Sequence, residues 1–159
     1  MKKLSFYLFT HALALALGFS LGVYSLPVLL APESPEAAKV NAVEATSSYR
    51  GSFHKDIKGS DFLHWAQGEV FVSESAIAFR GEIAPGPDYR VYLLDRFVQD
   101  KESFLKAKDK AILVGDLKTF DRFVLNFPEG IELDNVNTVV IWCETFARFI
   151  SSAALQQTT

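Results

Sequence analysis

Thr138-Val139-Val140-Ile141-Trp142-Cys143-Glu144-Thr145 is the stretch whose reading decides the fold. It is rich in β-branched residues and apolar on both alternating faces. Such a run marks a strand buried on both sides, central to a sheet rather than at its edge. Along it Val139, Ile141 and Cys143 share one face, and Val140, Trp142 and Glu144 share the other. Cys143 is the only cysteine in the 159 residues, so it has no intramolecular partner for a disulfide. It is either an inert small core residue or the one soft, reactive ligand that the protein owns.

Outward from this strand the pattern stays period-two. Ile77, Phe79, Gly81 and Ile83 alternate with Ala78, Arg80 and Glu82; Tyr89, Val91 and Leu93 with Arg90, Tyr92 and Leu94; Phe123, Leu125 and Phe127 with Arg122, Val124 and Asn126. Residues 49–53, 69–73 and 111–114 add further strands, and 147–152 supplies the partner that follows the central one. Turn chemistry separates them at Lys58-Gly59-Ser60, Pro85-Gly86-Pro87-Asp88 and Pro128-Glu129-Gly130. The fold class is all-β: a single antiparallel β-sandwich or small barrel of about seven to eight strands. Residues 95–110 read either as one short helix anchored by Phe97, Phe104 and Leu105 or as a long polar loop.

The N-terminus sets the expected location. Lys2 and Lys3 precede an uncharged apolar stretch, of which residues 4–26 alone would rise about 34 Å as a helix, enough for a hydrocarbon core of about 30 Å. We read residues 1–30 as an uncleaved signal anchor, a single transmembrane helix, because the stretch is long and Ala31-Pro32 makes a poor mature start. Its basic residues stay inside, which puts the rest in the periplasm or outside the cell. His11 lies near the start of the span, where its ring reaches the interface. Residues 31–47 hold Pro32, Pro35, Glu33, Glu36 and Glu44 but no aromatic, and read as a flexible linker. One globular domain follows over 48–155, with a tail at 156–159. The net charge of −3 becomes more negative once Lys2 and Lys3 are set aside, and no basic stripe appears. Nucleic-acid binding is disfavoured on that ground.

Several short motifs together resemble the electron-transfer DM thirteen domain family. They are Pro128-Glu129-Gly130-Ile131-Glu132-Leu133, then Val139-Val140-Ile141-Trp142-Cys143 and Phe146. Earlier come Tyr49-x-Gly51-x-Phe53, His64 with Gly68 and Val70, and Gly86-Pro87-Asp88 followed by Val91-Tyr92-Leu93. One departure is Phe149-Ile150-Ser151-Ser152-Ala153, where that family often has Phe-Gly-Ser-Ala. The resemblance implies a small extracytoplasmic β-domain built around Cys143, with an electron-transfer or redox-sensing role and a protein redox partner. It does not imply a stand-alone enzyme. The other reading is a non-catalytic binding or assembly domain, with Cys143 structural.

Cys143 is therefore the candidate redox thiol and His64 the candidate cofactor-binding residue. The cofactor itself is unknown. Covalent c-type haem needs Cys-x-x-Cys-His, and iron–sulfur clusters or structural zinc need more cysteines and histidines than the domain has. His54, His64 and Cys143 could supply a trigonal copper site, but the usual axial Met is missing because Met1 is the only methionine. Non-covalent haem on Cys143 or His64 is allowed by stoichiometry alone. No metal site is read from a motif. Asp88 reads as a turn residue, Ser52 with His54 lacks a nucleophile-elbow context, and Arg80, Arg90 and Arg122 read as a solvated face.

Overall fold

The computed structural model describes residues 2–128, 130, 131, 133 and 135–158. The motif residues Glu129 and Glu132 therefore lie outside the described residues. Eight strands form one antiparallel sheet: β1 (Tyr49–Phe53), β2 (Ala66–Val72), β3 (Ala76–Ile83), β4 (Tyr89–Leu94), β5 (Ile112–Leu117), β6 (Arg122–Asn126), β7 (Thr138–Cys143) and β8 (Arg148–Gln157). Their order is β5-β4-β7-β8-β1-β2-β3-β6. The chain neighbours β5 and β6 thus stand at the two ends of the sheet, and they touch. The sheet is a nearly closed barrel, which settles the choice between sandwich and barrel. Near-closure leaves little free strand edge.

Strand β7 sits between β4 and β8, and every residue from Thr138 to Cys143 is buried. Its inward face places Val139, Ile141 and Cys143 among Tyr89, Val91 and Leu93 of β4 and the aromatic interior of β2, β3 and β6. Phe53 meets Phe79 edge-on at 5.7 Å, and Phe79 stacks on Phe123 at 5.3 Å. The outward face carries Val140 and Trp142, and it is dry because helix α3 (Lys101–Ala107) lies over it. A capping box starts α3: Ser103 N–H donates to the Asp100 side chain at 2.8 Å, and the Ser103 hydroxyl accepts from the Asp100 N–H at 3.3 Å. The helical reading of residues 95–110 holds, with one change. Phe104 docks, at 4.9 Å from the Trp142 ring, while Phe97 and Leu105 stay half exposed at 49% and 45%.

Two segments differ from their sequence readings. Within 31–47, Ala37–Ala45 is a helix, α2, rather than part of a flexible linker. It has no core of its own but borrows one: Val40, 1% exposed, packs on Phe71 and Ala78 of the outer sheet face. Glu44 then receives Arg80 at 2.6 Å and Arg50 at 3.3 Å. At the other end, Gln156 and Gln157 belong to β8 rather than to a tail, because they pair with Arg50 and Tyr49 of β1.

Two strands approach each other closely at a pair of glycines. Gly68 and Gly81 face each other across β2 and β3, at φ +144° and +157°. A Cβ on Gly81 would meet the Gln67 carbonyl oxygen at 2.1 Å and the Gly68 Cα at 2.7 Å. Gly81→Ala is expected to cost about 2–3 kcal/mol through clash and backbone strain. Urea unfolding of the two proteins checks this, and an unchanged midpoint would refute it.

At the N-terminus, α1 (Lys2–Leu30) is long and apolar enough to cross a membrane, with none of its most hydrophobic window buried in the protein. A signal sequence has the same features. The His11 ring is satisfied locally, its Nδ1 bonding the Tyr7 carbonyl at 2.7 Å.

Candidate functional site

The barrel has one end at the Pro85-Gly86-Pro87-Asp88 turn and the turn that follows β7. These two turns are tied together. Glu144 N–H donates to the Asp88 carbonyl at 2.9 Å, and the Thr145 hydroxyl donates to the Asp88 carboxylate at 2.8 Å. Asp88 thus acts as the turn residue its context suggests. Gly86 presses against the Tyr89 phenol so closely that a Cβ there would lie 2.3 Å from it.

A cavity of about 280 Å³ opens beneath these turns, and Cys143 and His64 both line it. The structure therefore brings the two sequence candidates to one place. Cys143 is only 2% exposed, and it pairs in register with Tyr89 on one side and Arg148 on the other. Burial pushes its thiol above the ordinary value, although backbone N–H groups of Phe146, Asp88 and Thr145 pull the other way. Burial also pushes the Tyr89 phenol well up. The cavity floor is thus an uncharged thiol beside an uncharged phenol at neutral pH.

Charge is confined to the rim. Asp61 bonds the His64 Nδ1 at 2.8 Å and receives the Arg148 guanidinium at 2.6 Å. Its carboxylate also accepts the backbone N–H groups of Leu63 and His64, both at 2.9 Å. Because a carboxylate only accepts, the His64 Nδ1 carries the proton, and Nε2 has no hydrogen-bond partner among the described residues. Burial alone would raise the Asp61 pKa, but Arg148, the Leu63 N–H and His64 together lower it from 3.8 to about 2.

That shift has a testable sign. A carboxylate with a depressed folded pKa contributes stability that is complete above its unfolded value and lost as pH falls through the folded one. The loop 61–64 should loosen between about pH 4 and pH 2, and Asp61→Asn should remove that acid transition. Hydrogen exchange of the Leu63 and His64 amides measures it, and an acid response identical in both proteins would contradict the assignment.

A family described as Electron transfer DM13 matches residues 56–155. The chain belongs to this family. No curated protein and no solved structure matches it. The DM13 match contains every residue that the barrel contributes to the cavity, His64, Tyr89, Cys143 and Arg148 among them, and also Asp61, which orients His64. It begins after β1, so the docked helix α2 lies outside the matched residues.

The copper trio considered from sequence is not assembled. His54 lines a separate, wider cleft of about 670 Å³ with Arg50, Asp56 and Glu69. Among the described residues, no three His, Cys, Asp or Glu side chains converge to hold a metal ion. Asp61 carries the clearest missed signal, the Asp61-x-x-His64 spacing. Tyr89 and Arg148 carry none, because only the register of β4 and β8 against β7 brings them to Cys143.

Proposed function

We propose that this DM13 protein is a membrane-anchored electron-transfer domain in which Cys143 is the redox-responsive group and His64 its proton partner. The observation that carries this reading is the shared cavity: Cys143 at the floor, and His64 at the rim with its ring oriented by Asp61 and Arg148. A buried thiol gives up an electron readily only if its proton has somewhere to go. We assign that role to the Nε2 of His64, which lines the same cavity, with the electron passing to the partner's cofactor. Lys2 and Lys3 ahead of α1 support an outward-facing domain. The domain works as an accessory to a protein partner that holds the main cofactor, and not as an enzyme by itself.

A second reading rests on the burial of Cys143 and its raised pKa, which suit an inert core thiol in a binding or assembly domain. A mediated redox titration separates the two, comparing full-length chain from its native membrane with Cys143→Ser. The electron-transfer reading expects a reversible wave that the variant lacks while melting like the parent. Identical traces from the two proteins would leave the structural reading.

A further inference from the structure

The loop before β2 ends in an apolar tip. Phe62 is 86% exposed and Leu63 beside it is 44% exposed. The tip is held in place by the turn beneath it. Asp61 and His64 exchange both of their backbone hydrogen bonds, at 2.9 and 3.2 Å, and the Asp61 carboxylate accepts the Leu63 N–H. Burying a side chain such as Phe62 contributes about 1.5–3 kcal/mol, yet the turn presents it outward. At the base of the loop Lys55 Nζ lies over the Trp65 ring, 3.6 Å from its centre. An indole with a long cationic side chain beside it suits the boundary between membrane and water. Arg148 already neutralises Asp61 at 2.6 Å, so the loop brings no bare carboxylate to such a boundary.

Helix α1 gives the level at which this loop stands. It has 29 residues, and a hydrocarbon core takes about 20 of them. Counted outward from Leu4, the first residue after Lys2 and Lys3, the core ends at about Val23, and Tyr24 follows as an interfacial aromatic. Phe19, Ser20, Val23 and Tyr24 line the same hollow as Leu63 and His64. Leu26 and Leu30 line a different one, with Leu117 and Phe120. The loop 61–64 therefore stands beside the outer end of the span, and the β5–β6 turn stands farther from the membrane. The chain also keeps the barrel from drifting off. Only residues 31–36 separate α1 from α2, a reach of about 20 Å when fully extended. Helix α2 is itself fixed to the barrel through Val40 and the Glu44–Arg80 pair.

We infer that this end of the barrel docks on the outer leaflet of the bilayer that α1 crosses. Phe62 and Leu63 dip into the boundary between headgroups and acyl chains, and Trp65 with Lys55 lies at the headgroups. The inference rests on the membrane-anchored reading and adds an orientation to it, with the Cys143 end of the barrel held at the membrane surface.

The test places the photocrosslinking residue p-benzoylphenylalanine in the full chain at position 9, 62 or 110, in nanodiscs of phosphatidylcholine and phosphatidylglycerol. Phe9 lies within α1. Lys110 precedes β5 at the far end of the barrel, where Ile112 pairs with Leu93, whereas Leu117 pairs with Tyr89. All three side chains are exposed, so the substituted proteins should melt like the parent. After irradiation, mass spectrometry should find phospholipid adducts at 9 and at 62, and none above background at 110. Background yield at 62 with adducts present at 9 would overturn this inference and leave the anchor standing. Equal yields at 62 and 110, or crosslinks from 62 to a second copy of the chain in place of lipid, would overturn it as well. Loss of adducts at 9 too would sink the membrane-anchored reading, and this inference with it.

Discussion

Replacing Trp142 with Ala should lower the stability of the domain by about 3–5 kcal/mol, the cost of emptying a large buried aromatic site. The side chain is 1% exposed on the outer face of β7. It lies 4.9 Å from Phe104, whose own ring meets Tyr92 at 5.4 Å. Its removal opens a hole between the barrel and α3 rather than inside the barrel. The outer cluster of Val140, Leu94, Val98 and Phe149 then loses its largest member. A loss of this size threatens a domain of ordinary stability, about 5–15 kcal/mol. Urea unfolding should show a midpoint far below that of the parent, with α3 amides exchanging first. A change under about 1 kcal/mol would mean that the Trp142 site collapses freely and that α3 is not held by it.

Glu144, the polar end of the same run, helps hold this outer layer. It accepts from the Tyr92 hydroxyl and from Lys108 Nζ, the latter at 2.7 Å, just where α3 ends. Burial works to raise its pKa, but Lys108 and Tyr92 outweigh burial and hold it below the ordinary value. The residue that breaks the apolar pattern after Cys143 thus belongs to the outer layer rather than to the cavity.

The central strand was legible because six consecutive residues with both faces apolar leave no exposed side to assign. The period-two strands on either side were legible for the same reason, one face at a time. Barrel against sandwich was not, because the choice turns on β5 and β6 meeting at the two ends of the sheet, and strand order is a long-range property. Helix α2 was hidden by its composition. Val40 and Val43 are too few to suggest a core, yet enough once Phe71 and Ala78 supply the other half. In residues 95–110 three apolar side chains looked equivalent, and only packing against Trp142 singles out Phe104.

The site divides in the same way. Cys143 stood out as the lone cysteine, and His64 through the family motif. Arg148 was an ordinary surface charge in the sequence, and Asp61 was marked only by its spacing to His64. They become a clamp on His64 only when β8 brings Arg148 to the loop before β2. Tyr89 looked like one more alternating aromatic, although it pairs directly with Cys143.

The most direct test of the Cys143 site is alkylation of the native, full-length chain by iodoacetamide without denaturant. Burial raises the thiol's pKa, so it is chiefly protonated at pH 7. Modification should therefore be slow there and speed up as pH rises, because the thiolate is the nucleophile. His64→Ala should slow it about fivefold near neutral pH by removing the neighbouring proton acceptor. Cys143→Ser should abolish it. A single, pH-dependent modification that needs His64 is the result the account predicts. A thiol that stays silent until the domain unfolds, in the parent and in His64→Ala alike, would contradict it.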